Sequence, residues 1–122
     1  MFHPVDNNFM ITANAKEGAA LWDNRSQRMP VVRYGGEDAS QSCMSVRFNA
    51  TGTLLLALRR RLPPILYSTV DQDPICQFYN QDYYNSCTMK TCTFAGPFDE
   101  YVLSGSDDFN LYVWRVQDAD RK

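Results

Sequence analysis

Reactive side chains are few and scattered in this 122-residue chain, whose thiols are Cys43, Cys76, Cys87 and Cys92 and whose one imidazole is His3. Four thiolates can hold zinc or close two disulfides, but zinc sites are usually anchored by short-spaced pairs, and no C-x-x-C pair occurs here. The cysteines therefore read as free, mostly buried thiols that pack as small core residues. That reading implies a reducing compartment, the nucleus and/or the cytoplasm. No metal ligands are assigned, and no cofactor. Asp107 and Asp108 look like paired carboxylates for acid and base work. They stand, however, in the turn Ser104-Gly105-Ser106-Asp107-Asp108, where short acidic side chains bond the turn's own backbone. With no nucleophile elbow and no phosphate-cradling glycine loop, no catalytic residue is nominated and the chain is not read as an enzyme.

Binding chemistry is better represented than catalysis. Arg59-Arg60-Arg61 is the one basic cluster, and Trp22-Asp23-Asn24-Arg25 sets an arginine two residues past a carboxylate. Arginine donates up to five hydrogen bonds and lies flat on a partner, so either site can anchor an interface. The bland alternatives are a solvated turn for the triplet and an ordinary surface residue for Arg25. A net charge of -2 and a pI near 5.2 provide no overall basic field, which argues against direct nucleic-acid binding. No apolar run approaches the roughly 20 residues of a membrane helix, and Met1 to Asp6 lacks the regions of a signal peptide. Tyr79, Tyr83 and Tyr84 read as structural aromatics.

The elements that must position these residues are betrayed by a repeat. Phe2, Phe48 and Phe94 are separated by 46 residues each, and an apolar run follows every one: Phe9-Met10-Ile11, Leu54-Leu55-Leu56 and Tyr101-Val102-Leu103. Polar turns rich in Gly, Pro, Asn and Asp lie between. A second landmark keeps register, since Trp22, Tyr67 and Trp114 lie 20, 19 and 20 residues beyond their phenylalanines. Two landmarks in three copies argue for a duplicated all-β unit, close to the roughly 40 to 45 residues of a propeller blade. Strands are expected over 88–94, 100–104 and 110–115 in the last copy, and over 44–48, 53–59, 65–70 and 75–79 in the middle one. The copies span approximately 1–42, 43–86 and 87–122.

Ser104-Gly105-Ser106-Asp107-Asp108, followed by Leu111-Tyr112-Val113-Trp114, resembles the common WD-repeat ending. The middle copy departs from it, with Arg59-Arg60-Arg61-Leu62-Pro63-Pro64 where an aspartate-bearing turn is expected. The resemblance implies an all-β fold, a WD-repeat β-propeller fragment of about two and a half four-stranded blades, whereas closed rings use about four to eight. Met1 falls in mid-blade, as if a preceding strand were missing.

Trp22-Asp23-Asn24-Arg25 resembles the W-D-x-R signature of WD-repeat substrate receptors of cullin-4 RING ubiquitin ligases. The stretches Arg47 to Pro64 and Tyr84 to Lys90 resemble the same group. This resemblance implies a non-catalytic receptor that docks on the damaged-DNA-binding adaptor subunit of the ligase through Trp22, Asp23 and Arg25, with Trp22 in the core and Arg25 facing out. It also implies recruitment of a protein substrate, of unspecified identity, for ubiquitination. Strand direction places Arg59, Arg60 and Arg61 on the opposite face, as a candidate substrate surface stiffened by Pro63-Pro64. The alternative is a generic WD-repeat scaffold unrelated to ubiquitin ligation.

Stacked blades bury both faces of each neighbour, so an open stack leaves outer faces and edges bare. The isolated monomer is expected to be marginal and prone to aggregate. A sharp, reversible two-state melt of a monomeric 122-residue protein contradicts this expectation.

Overall fold

Leu54-Leu55-Leu56-Ala57-Leu58 is apolar at every position, which suits a strand covered on both faces. In the computed structural model, which describes residues 1–14, 18–26, 28–35, 43–85, 91–108, 110–118 and 120–121, this segment forms an inner strand of the middle one of three antiparallel sheets. The first sheet contains β1 (Phe9–Asn14), β2 (Gly18–Asp23) and β3 (Val32–Arg33). The middle sheet runs β4 (Cys43–Phe48), β5 (Leu54–Arg59), β6 (Ile65–Ser68) and β7 (Pro74–Gln77). The third contains β8 (Cys92–Ala95), β9 (Tyr101–Gly105) and β10 (Leu111–Arg115).

The repeat landmarks become rows of side chains. Phe48 pairs with Leu55, which pairs with Tyr67; Phe94 pairs with Val102, which pairs with Trp114. In the first sheet, Phe2 bridges to Met10, which pairs with Trp22. Directly opposed residues share a sheet face, so each row points one way. The middle row joins Ile11 and Leu21 of the first sheet in one buried cluster. The third row packs with Leu56 and Leu66 of the middle sheet in a second. Alternate positions of β5 therefore feed two cores, Leu55 and Ala57 the one, Leu56 and Leu58 the other.

Turns lock the sheets to each other at one end. Asn49 Oδ1 accepts the Leu54 amide at 3.1 Å, and Gly52 takes a left-handed φ of 76°. A Cβ on Gly52 would fall 2.1 Å from His3 Nε2, so the close approach needs glycine as much as the dihedral does. His3 Nδ1 accepts the amides of Val5 and Asp6, which assigns the ring proton to Nε2, 3.1 Å from the Gly52 carbonyl. Asp99 Oδ2 accepts the Ala50 amide at 2.7 Å. The three turns that open β1, β5 and β9 thus lie at a common end.

The structure departs from the sequence reading in several places. β6 stops at Ser68, two residues short of Val70, because the chain turns there, with the Asp71 amide donating to Ser68 O and Thr69 donating to Thr53 O. β7 begins at Pro74 and ends at Gln77, shifted from 75–79. The two-residue β3 was too short to leave a period in the sequence. After β10 a 3-10 turn (Val116–Asp118) redirects the chain, and β11 (Asp120–Arg121) pairs with β7. Among the described residues the middle sheet consequently has five strands and its neighbours three each, where four per blade were expected. An open edge of unpaired backbone groups at β7 is a ready acceptor for such a strand. The expected strand 88–94 begins at Cys92 among described residues, and its part at 88–90, Cys87 and the copy boundary at 86/87 lie outside them. So does residue 42, where the first copy was expected to end.

Leu56 is fully buried, and Leu111 is 66% exposed on β10. Leu56→Ala is expected to lower stability by about 2–5 kcal/mol, and Leu111→Ala by no more than about 0.5 kcal/mol. Urea unfolding midpoints of the two variants measure the difference.

Candidate functional site

Arg25 stands at the end shared by the strand-opening turns. β2 ends at Asp23, opposite Phe9 at the start of β1, and the Asn24 amide donates to Asn8 O at 2.7 Å. Asp23 Oδ1 accepts the Arg25 amide at 2.9 Å, an Asx turn that folds residue 25 back over its own carboxylate. The guanidinium then donates twice to Asp23, through Nε at 3.0 Å and Nη2 at 2.9 Å. Its Cζ lies 5.9 Å from the centroid of the Phe9 ring. The hydrogen bond and charge of Arg25 hold the Asp23 carboxyl below its ordinary pKa, and Asp23 raises that of Arg25 for the same reasons. The arginine side chain remains 64% exposed, so a preformed planar donor faces solvent. Beside it a cavity of about 570 Å³, lined by Phe9, Leu21, Val32, Gly52 and Thr69 among others, opens between the first and middle sheets.

Trp22 is placed differently from Asp23 and Arg25. It was expected in the core but is half-buried, on the face of β2 opposite the buried Leu21. Its indole N–H donates to Thr12 Oγ1 at 2.9 Å. The reason is register, since this row points away from the middle sheet.

Arg59, Arg60 and Arg61 lie at the far end of β5 from the turn that opens it. Arg59 is half-buried and pairs with Cys43 in the ladder, while Arg60 and Arg61 are exposed. Arg61 has a left-handed φ of 67°, unfavourable for a side chain with Cβ. Asn85, buried to 1% exposure, braces the turn: its Oδ1 accepts the Arg61 amide, and its Nδ2 donates to Arg59 O at 3.2 Å and Leu62 O at 2.9 Å. Pro64 is buried, and its carbonyl accepts the Phe78 amide. The neighbouring residues tie this end to the third sheet, where Ser106 Oγ donates to Tyr84 O and accepts the Tyr84 amide, both at 3.0 Å. Asp108 Oδ1 accepts the Asn110 amide, as expected of a turn carboxylate, and its Oδ2 accepts the Tyr112 hydroxyl at 2.6 Å.

Asn85 and Phe9 escaped sequence reasoning. Asn85 lies in an unperiodic connection with no pattern to single it out, whereas the opposition of Phe9 to Asp23 was implicit in the strand pairing. Cys43, Cys76 and Cys92 are buried thiols that form no disulfide among the described residues. Burial raises the thiol pKa of Cys43 and pushes that of Cys92 up to about 12. None of the described residues forms a helix long and apolar enough to cross a membrane.

Three stacked antiparallel sheets in sequence order, with landmark rows repeating from sheet to sheet, define a partial WD-repeat β-propeller. The chain is a partial-length relative of DDB1- and CUL4-associated factor 5. It is 62% identical to the human protein of that name over 92 residues, 75% of this chain, and 61% identical to the mouse protein over the same length. It spans about 10% of the length of these relatives. No family model matches. In fold it is similar to the crystal structure of the computationally designed Ika4 protein, with a TM-score of 0.64 and 13% identity over 91% of this chain and 62% of that one.

The Tyr112 hydroxyl, bonded first of all to the Asp108 carboxylate, has its pKa raised to about 12. A raised folded-state value favours the folded protein below the unfolded tyrosine pKa of about 10, and that contribution is lost as pH rises through the folded value. Asp108→Asn is expected to bring Tyr112 down toward the ordinary value. The difference in phenolate absorbance between wild type and variant during alkaline titration reads it directly.

Proposed function

We propose that this chain is part of a non-catalytic substrate receptor of a cullin-4 ubiquitin ligase. In this reading Arg25 and Asp23 dock on the ligase adaptor, and the opposite end, carrying Arg60 and Arg61 with Arg59 behind them, receives a protein substrate. The observation that carries it is the Asp23–Arg25 lock, which holds an exposed guanidinium over Phe9 in a fixed plane. A side chain ordered before binding loses less conformational entropy on docking. The relatives' name, which joins DDB1 and CUL4, supplies the identity of the partner. Trp22 positions the strand beneath the lock rather than touching the adaptor. The apolar cavity beside Phe9 offers a seat for a partner side chain. The receptor recruits and the ligase catalyses, inside the cell, in the nucleus and/or cytoplasm.

Arg25→Ala is expected to leave the melting temperature unchanged and to weaken adaptor binding about thirtyfold, since partner acceptors lose their donor at the interface. Replacing Arg59, Arg60 and Arg61 together spares adaptor binding and changes the substrates captured. Calorimetric titration of purified DDB1 into wild type and both variants distinguishes the two ends. Equal affinity for wild type and Arg25→Ala leaves a scaffold unrelated to ubiquitin ligation.

A further inference from the structure

The cavity of about 570 Å³ between the first and middle sheets is framed by hydrogen bonds that cross from one sheet to the other. His3 Nε2 donates to the Gly52 carbonyl at 3.1 Å, the Tyr34 hydroxyl to the Thr69 carbonyl at 2.6 Å, and the Gly35 amide to the Gln72 carbonyl at 2.8 Å. The Gly52 carbonyl also accepts the Thr69 hydroxyl at 2.7 Å, and His3 Nδ1 is taken by the Val5 and Asp6 amides. These polar atoms are thus spent on the frame, and the contacts left for an occupant come from Phe9, Leu21, Val31, Val32 and Val70. Two sheets that are cross-linked but not closed on each other hold space for an apolar group from outside. The lips of the cavity reach beyond it, with Val31 54% and Val70 83% exposed, and the Val31 amide fixes its lip by donating to the Leu21 carbonyl at 2.7 Å.

Phe9 is a wall shared with the Arg25 lock, since it lines the cavity and carries the guanidinium 5.9 Å from its ring centre. Asp23 takes the Nε and Nη2 donors, which leaves the Nη1–Nη2 edge of the five-donor group for a partner. The choice of acceptor follows from charge. Asp23 already neutralises Arg25, and the charge of Asp6 acts on it as well, so a further carboxylate is repelled where a neutral carbonyl is not. We infer that the cavity receives one leucine-sized apolar side chain of a protein partner, whose neighbouring main-chain carbonyl accepts from Arg25. A free small molecule leaves Val31 and Val70 in water, whereas a protein surface resting on this end covers both together with Arg25. The inference rests on the docking reading above for the identity of the partner, the ligase adaptor, and on the cavity itself for the chemistry.

The chemistry is read with N-acetylleucinamide, which carries an apolar side chain between neutral carbonyls. At millimolar concentration it is expected to shift the methyl resonances of Leu21, Val31 and Val32, and to bind at least as well as N-acetylleucine, whose carboxylate replaces the amide. No shift, or a preference for the acid, overturns the inference independently of the adaptor. Titrated with purified DDB1, Val31→Asp and Val70→Asp are each expected to lose at least about tenfold in affinity, because a carboxylate on the lip is buried without a partner. Leu111→Asp, at the other end of the stack, keeps the wild-type affinity. Circular dichroism checks that each variant keeps its strands, and Val31→Thr and Val70→Thr replace any that does not. Probe binding without DDB1 binding supports the cavity as a peptide site and removes only the adaptor as its partner. DDB1 binding that is indifferent to both lip substitutions overturns the inference and leaves the docking reading standing.

Discussion

Everything in this fold leans on the burial of the middle sheet from both sides. β5 and β6 contribute Leu55, Ala57, Ile65 and Tyr67 to one core and Leu56, Leu58 and Leu66 to the other. Among the described residues, each flanking sheet buries its apolar side chains in a cluster shared with the middle sheet. This is the arrangement of a repeat protein, in which stability resides in nearest-neighbour interfaces more than in single units. Voids at alternate positions of β5 are therefore felt in different interfaces.

Most of this architecture was legible because it is periodic. The 46-residue spacing of Phe2, Phe48 and Phe94 proved to mark equivalent rows, and the apolar runs after each phenylalanine proved to open β1, β5 and β9. What escaped were features with no period. β3 is two residues long, and β11 crosses to the neighbouring sheet, a choice made by an open edge rather than by local propensity. Trp22 was expected in the core because Trp22-Asp23 resembles the ending of a WD-repeat strand. Register alone puts it on the face that no described sheet covers.

The same division runs through the candidate sites. Asp23 and Arg25 were readable as a pair because an Asx turn is a local event, set by two neighbouring residues. The arginine triplet was readable as charge, but its shape was not. It depends on Asn85, whose side chain bonds three backbone groups across a separation of more than 20 residues. That amide spends its hydrogen bonds on a turn that would otherwise be strained at Arg61. Both ends thus present cationic groups on backbones already ordered, one by its own carboxylate and the other by a buried amide.

The middle copy reaches its aromatic landmark one residue sooner than the other two, yet its row stays in register. The missing residue comes out of the turn Asn49 to Thr53, which the Asn49 side chain and Gly52 close tightly. The same loss inside β5 would exchange its two faces and send Leu55 where Leu56 belongs. Insertions and deletions are consequently tolerated by address, freely between strands and not within them. Divergent descendants of one ancestral unit can drift in length and still stack, provided that each change falls where the chain reverses.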